Sequence, residues 1–410
     1  MNVPKIRING FEGEWKRIKL AECLNISNET NKDNVYGKDD VLSVSDEIGV
    51  VNQIKHLGRS YAGKSVTNYG ILKKGQIVYT KSPLKAKPFG VVKQNLGDAG
   101  IVSVLYAIYD AKEGVDAGYI HYYFDPAWRL NAYIRPLVNK GAKNTMNISD
   151  ETALEGYIYL PPTLAEQQQI VEYFGQLDSL IEATGKKITS LKQTKQACLQ
   201  QMFPAEGETT PRVRFKGFEG DWAILPLSTF AQKSKEKNMS REYTAVLTNS
   251  AEYGVINQKD FFDHDIAKDN HIDRYSVIHN DDFVYNPRVS VSAPVGPINR
   301  NMLGYSGVMS PLYLIFKVEN IDKEYLSYFF KTKLWHPYMK IEGNTGARFD
   351  RLALSDTQFF GLPIYAPKEE AEQQQIAAFF SNMDKQIRIQ EQRLEKLKQI
   401  KAACLENMFV

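Results

Sequence analysis

Metal or acid-base chemistry would have to come from six histidines and 48 acidic residues. His264, His271 and His279, with Asp263, Asp265, Asp269 and Asp273, put both types in one short stretch. Their spacing fits no helical or finger motif for a metal, and the first half of the chain has no histidine at matching places, so the stretch reads as a polar loop. Methyl transfer to a base amino group would need a glycine-rich cofactor loop and an Asn/Asp-Pro-Pro-aromatic loop to hold the base. The nearest strings, Asp125-Pro126-Ala127-Trp128 and Asn286-Pro287-Arg288-Val289, lack the second proline and do not fall at equivalent places. Nucleotide hydrolysis is not expected: Gly58-Arg59-Ser60-Tyr61-Ala62-Gly63-Lys64-Ser65 spells Gly-x-x-x-x-Gly-Lys-Ser, but strand-like residues such as Gln76-Ile77-Val78-Tyr79 follow it rather than the helix that a phosphate cradle opens. We therefore expect no catalytic residue, no metal site and no cofactor in this chain.

The cations are the more informative residues. Residues 48–97 carry Lys55, Arg59, Lys64, Lys73, Lys74, Lys81, Lys85, Lys87 and Lys93 without one Asp or Glu. A second acid-free window, 126–149, holds Arg129, Arg135, Lys140 and Lys143, the last two in the loop Asn139-Lys140-Gly141-Ala142-Lys143-Asn144. In the second half, 283–318 has Arg288, Arg300 and Lys317 and no acid, and Asn344-Thr345-Gly346-Ala347-Arg348 is the matching glycine loop. Clustered cations neutralise phosphates with counterion release, and Arg, Lys and Asn at loop tips can reach base edges. Double-stranded DNA fits both. The residues expected to touch it are Lys81, Lys85, Lys87, Lys140, Lys143 and Asn144 in the first half, and Arg288, Arg300, Asn344, Arg348 and Arg351 in the second.

What positions these residues is a duplicated scaffold. PKIRINGFEGEWKRIKL at 4–20 returns as PRVRFKGFEGDWAILPL at 211–227, an offset of 207 residues. At an offset of 206, Ala165-Glu166-Gln167-Gln168-Gln169-Ile170 recurs as Ala371-Glu372-Gln373-Gln374-Gln375-Ile376, and the match runs on to Met202-Phe203 and Met408-Phe409. Between these ends the halves align loosely: Val41–Gln53 with Val246–Gln258, and Ile77-Val78-Tyr79 with Phe283-Val284-Tyr285. Close ends and divergent interiors describe two like scaffolds carrying different surfaces.

From Thr163 to Phe203 there is no proline, and Ile170, Phe174, Leu177, Ile181, Ile188, Leu191, Cys198 and Met202, with Thr184 and Lys195 in the two places between, fall at alternating spacings of four and three. The second copy repeats this as Ile376, Phe380, Met383, Ile387, Leu394, Leu397, Cys404 and Met408. That is a coiled-coil seam. Thr163-Leu164-Ala165-Glu166 predicts a capping box in which Thr163 caps the first turn and Glu166 reaches back. About 40 residues make a rod of roughly 60 Å, longer than one domain needs. An antiparallel pairing of the two helices follows from chain order, and it leaves Cys198 and Cys404 at opposite ends, unable to cross-link. The expected organisation is a first recognition domain at 1–162, a helix at 163–203, a linker at 204–210, a second domain at 211–367 and a helix at 368–410. Each domain is α/β (α+β).

Composition sets the outer bounds. The 410 residues are 43% hydrophobic and 24% charged, which suits two globular domains. A net charge of +3 makes no case for nucleic acid by itself, so local charge has to. No long apolar run predicts a membrane span, and three scattered cysteines predict neither disulfides nor Cys-based zinc, so a cytoplasmic location is expected.

The Gly-Phe-Glu-Gly-x-Trp openings, the Ala-Glu-Gln-Gln-Gln-Ile entries and the Lys-Gln-x-Lys-x-x-Cys-Leu-x-x-Met-Phe close of both helices resemble the DNA-specificity subunits of type I restriction-modification systems. The resemblance covers essentially the whole chain. It implies two target-recognition domains held apart by antiparallel helices, each reading one half of a bipartite, non-palindromic site. It also implies two modification subunits as partners, carrying S-adenosylmethionine and methylating adenine. In the complete assembly two ATP- and Mg-dependent restriction subunits join. Two other readings stay open at this point: a coiled-coil adaptor without sequence-specific DNA binding, and a stand-alone DNA methyltransferase.

Overall fold

The computed structural model describes every residue except 1, 64, 82–86, 139–147, 260–268 and 345–349, and leaves out the side chains of 269–271. The chain divides into two compact units: residues 1–186 with 391–410 (unit 1), and residues 187–390 (unit 2). The sequence boundaries treat the helices as separate spacers. In the structure each helix is shared, because its apolar seam joins the core beside it. Ile170 and Phe174 pack with Trp15, Tyr119 and Phe409 in unit 1. Ile376, Phe380 and Met383 pack with Trp222, Tyr325 and Phe203 in unit 2.

In unit 1 a four-stranded sheet has the order Leu24–Ile26, Ala107–Ala111, Ile77–Tyr79, Val92–Gln94. Unit 2 repeats it as Ala231–Lys233, Leu314–Val318, Phe283–Tyr285, Ile298–Arg300. Both sheets are buried on two faces, and side-chain alternation divides their residues between two cores. Ile77 and Tyr79 face the helical core while Val78 faces a second cluster with Leu42, Leu72, Val102 and Ile108. Phe283 and Tyr285 against Val284 do the same in unit 2. A hairpin stands beside each sheet, Leu42–Ser45 with Gly49–Asn52 and Leu247–Ser250 with Gly254–Asn257. Every described ladder is antiparallel, so the units have segregated helices and sheets rather than wound β-α-β crossovers.

Each long helix follows a strand that pairs with the opening of its own repeat. Lys16–Lys19 pairs with Tyr157–Leu160 before the helix Leu164–Gln201, and Ala223–Pro226 pairs with Pro363–Ala366 before the helix Glu370–Asn407. Within unit 1 the two helices run antiparallel: Tyr173 Oη lies 3.3 Å from Cys404 Sγ, and Lys401 Nζ lies 2.7 Å from Asp178. In unit 2 Lys195 pairs with Asp384 and the Phe203 ring stacks on Phe380. Of the sixteen seam residues, Ile170, Phe174, Leu177, Ile188, Met202, Ile376, Phe380, Met383, Ile387 and Met408 are buried. Ile181, Leu191, Cys198, Leu394, Leu397 and Cys404 are half-buried, and none is exposed. Cys198 falls in unit 2 and Cys404 in unit 1, and both are free thiols. Among the described residues no helix is long and apolar enough to cross a membrane.

Candidate nucleic-acid interface

Both ends of the repeat build one joint twice. Arg7 Nε donates to Glu166 Oε1 at 2.8 Å, and its Nη groups donate to the carbonyls of Glu12 and Gly13. Arg214 does the same with Glu372 at 2.7 Å and with Glu219 and Gly220. The Gly-Phe-Glu-Gly loop is therefore a carbonyl cradle for an arginine. Gly13 and Gly220 sit in it at φ 86° and 76°, a conformation that disfavours a side chain. This corrects the capping box. Thr163 Oγ1 does accept from Glu166 N at 3.3 Å, but the Glu166 carboxylate turns away to Arg7 and to Trp15 Nε1, because a buried carboxylate is better matched by a guanidinium than by one amide. Further along, Tyr122 Oη donates to Asp178 beside Lys401, and Tyr328 Oη donates to Asp384 beside Lys195.

The acid-free window of the first half is not acid-free in space. Lys73 pairs with Glu29, Lys81 with Asp150, Lys87 with Asp46, and Lys93 with Asp125, acids that all lie outside it in sequence. Of the expected DNA contacts, Lys81 and Lys87 are thus held in ion pairs, and Lys85, Lys140, Lys143 and Asn144 lie outside the described residues. The cations left exposed with no ion pair among the described residues are Lys55, Arg59 and Lys74. Asn52 caps the turn Gln53–Leu57 by accepting from Ile54 N and Lys55 N, and Gly58 ends it in the left-handed region. This presents Lys55 and Arg59 to solvent, with the Arg59 guanidinium 4.6 Å above the exposed Tyr61 ring. The sequence showed these cations without ranking them, since ion pairing elsewhere had still to remove their neighbours.

Asp125 is the centre of a buried network and not part of a base-holding loop. Lys93 Nζ lies 2.6 Å and Lys401 Nζ 3.3 Å from its carboxylate, and Lys87 Nζ donates to its carbonyl at 3.0 Å. Burial opposes its charge, yet Lys93 and Lys401 prevail and hold the carboxyl well below the usual range. Burial, with Lys93 adding to it, lowers the neighbouring His121 to about 4.

In unit 2 the expected residues separate. Arg300 is mostly buried and bridges Asp281 and Glu324, a scaffold role that leaves its guanidinium no free face for DNA. Arg288 is exposed, with Asp350 at 3.9 Å. Its backbone bridges to that of Arg351, and Asn344 bridges to Ala353, so the two loops are zipped together. Asn286 Oδ1 accepts from Arg288 N, which makes the Asn-Pro-Arg-Val string a turn. Arg348 lies outside the described residues. Beside this pair of loops runs a groove of about 550 Å³ whose cations are Lys233, Lys235, Lys237 and Arg351 and whose one acid is Asp356. Sequence reasoning missed the three lysines because Glu236 interrupts them. Alternation along the chain was the available signal.

His279 hydrogen-bonds Ser306 through Nδ1 and Glu236 through Nε2, and His264 lies outside the described residues. No group of three or more His, Cys, Asp or Glu among the described residues is arranged to hold a metal ion.

Residues 219–399 match the family model of the type I restriction modification DNA specificity domain. By that model the matched stretch is similar to a domain that supplies DNA specificity. Among solved structures, the S subunit of a type I restriction-modification system from M. genitalium is similar at 11% identity with a TM-score of 0.59, over 100% of this chain and 99% of that one. The HsdS subunit from Thermoanaerobacter tengcongensis is 14% identical, with a TM-score of 0.45, over 97% of each chain. No curated protein matches the chain.

Proposed function

We propose that each unit reads one half of a bipartite, non-palindromic DNA site, and that the paired helices set the unread spacer and dock two modification subunits. Those subunits carry S-adenosylmethionine and methylate adenine. Where restriction subunits join, ATP and Mg²⁺ act on them. The observation that carries this reading is one joint built twice under unlike surfaces. Arg7–Glu166 and Arg214–Glu372 are the same device, whereas Lys233, Lys235 and Lys237 stand where the first half has Ile26, Asn28 and Thr30. A scaffold repeated for structure alone has no use for charge on one copy only. Shape and charge that differ between copies suit two different half-sites docked from one face of the duplex.

The test is a map of methylated adenines in DNA from cells with and without this gene. Gene-dependent methylation at one two-part motif with a constant gap is the expected result. Methylation at a single continuous motif would break the bipartite reading. A complex that assembles with modification subunits yet shows no salt-sensitive DNA affinity would instead be an adaptor.

A further inference from the structure

We infer that unit 2 grips the DNA backbone through a comb of cations absent from unit 1, so that the two units contribute unequally to the sequence-independent part of binding. The inference rests on the DNA-specificity reading and adds to it a division of labour. The comb is the segment Lys233-Ser234-Lys235-Glu236-Lys237, which begins as the edge strand of the unit 2 sheet and ends in a bridge from Lys237 to Ser276. Residues two apart on an extended chain point to the same side about 6.6 Å apart. All three lysines line the same groove.

The charges on that side are not equally committed. Lys233 is held by Asp356, with Nζ 2.6 and 2.8 Å from its two oxygens. Lys235 is exposed and has no ion pair among the described residues. Lys237 Nζ donates to Ser276 Oγ at 2.9 Å, a neutral partner that leaves its charge uncompensated. Glu236, the one acid of the segment, points the other way and is engaged by His279 Nε2 at 2.9 Å. Across the groove, Arg351 Nε is screened from solvent and makes no hydrogen bond among the described residues, with Asp350 at 3.8 Å. Pro287, Leu312 and Tyr313 supply apolar wall between the cations. Two uncommitted ammonium groups facing an under-satisfied guanidinium across an open groove suit a run of phosphates flanked by sugars.

Unit 1 has the same backbone without the charges. Thr30 bridges to Gly70 as Lys237 does to Ser276, so the register is equivalent. The side chains there are Ile26, Asn28 and Thr30, and the acid between them, Glu29, captures Lys73.

The experiment uses the full chain assembled with its modification subunits, and measures affinity for a duplex with the recognised site and for a scrambled duplex from 50 to 300 mM salt. Lys235→Ala with Lys237→Ala should make the slope of log affinity against log salt shallower by about 2, since each phosphate contact contributes about 0.9. The loss should be the same on both duplexes, and Lys235→Arg with Lys237→Arg should restore it. Both positions are exposed, so folding is not at stake. An unchanged slope in a complex that still binds DNA overturns the comb. Loss confined to the specific duplex at unchanged slope also overturns it, because these residues would then be reading bases. A wild-type complex with no DNA affinity at all overturns the proposed function, and the comb with it.

Discussion

Asp125 in unit 1 and Lys331 in unit 2 hold equivalent places, 206 residues apart, and carry opposite charge. In unit 1 the helix joint is a closed ion network. Lys401 lies between Asp125 and Asp178, and the buried Lys93 completes the charge balance from the sheet. In unit 2 Lys195 has Asp384, Asn299 replaces Lys93, and Lys331 donates to Asn299 Oδ1 at 2.6 Å. The Arg7 and Arg214 cradles are alike in both units, so the divergence begins where the helix pair meets the variable sheet. A duplicated scaffold has to keep the geometry of its joint. It is free to change how charge is balanced there, provided that each buried cation finds an acceptor.

The largest test of this contrast is removal of the two residues themselves. Asp125→Ala leaves Lys93 and Lys401 without their shared acceptor and should destabilise unit 1 by about 3–5 kcal/mol. Lys331→Ala leaves the buried Asn299 Oδ1 without its donor but strands no charge, and should cost about 1–3 kcal/mol. Denaturant unfolding with amide exchange to assign the loss to each unit measures both, and equal losses would break the comparison.

Acid should separate the units next. His121 is lowered from 6.5 to about 4 in the folded chain, so the unfolded chain takes up its proton first as pH falls. Its contribution is complete above pH 6.5 and is lost between there and about 4. The depressed Asp125 then loses its contribution below the ordinary carboxylate range. Ser327 stands at the equivalent place in unit 2, where burial also lowers the half-buried His336. His121→Gln should reduce the stability lost between pH 6.5 and 4 by roughly 3 kcal/mol in all and leave the part due to His336. An unaltered slope would show that His121 titrates alike in both states.

A smaller difference concerns the paired tryptophans. Trp15 Nε1 donates to Glu166 at 3.2 Å, whereas Trp222 Nε1 is buried without an acceptor among the described residues. Trp15→Phe should cost about 1 kcal/mol more than Trp222→Phe in the same unfolding measurement. Finally, Asn28→Lys with Thr30→Lys should copy the comb into unit 1 and steepen the salt slope by no more than about 2, with stability unchanged.

The seam was legible because its signal is local and repeated, whereas the joint was not, since the sequence assigned Glu166 to a capping box and not to Arg7. Heptad spacing needs no knowledge of neighbours. Charge was not legible in the same way. Lys81, Lys87 and Lys93 looked free only because Asp150, Asp46 and Asp125 lie outside the window that was counted. Arg300 looked exposed in an acid-free run and is closed by Asp281 and Glu324.

By itself the sequence determined the duplication and the two long helices with their apolar faces, since each is a pattern of residue types along the chain. Only the tertiary structure decided which cations remain available, where Glu166 points, and that unit 2 has a cationic groove its repeat lacks. Whether a charge is spent in an ion pair depends on distances of a few ångströms between residues that are tens to hundreds of positions apart, and those are settled by folding.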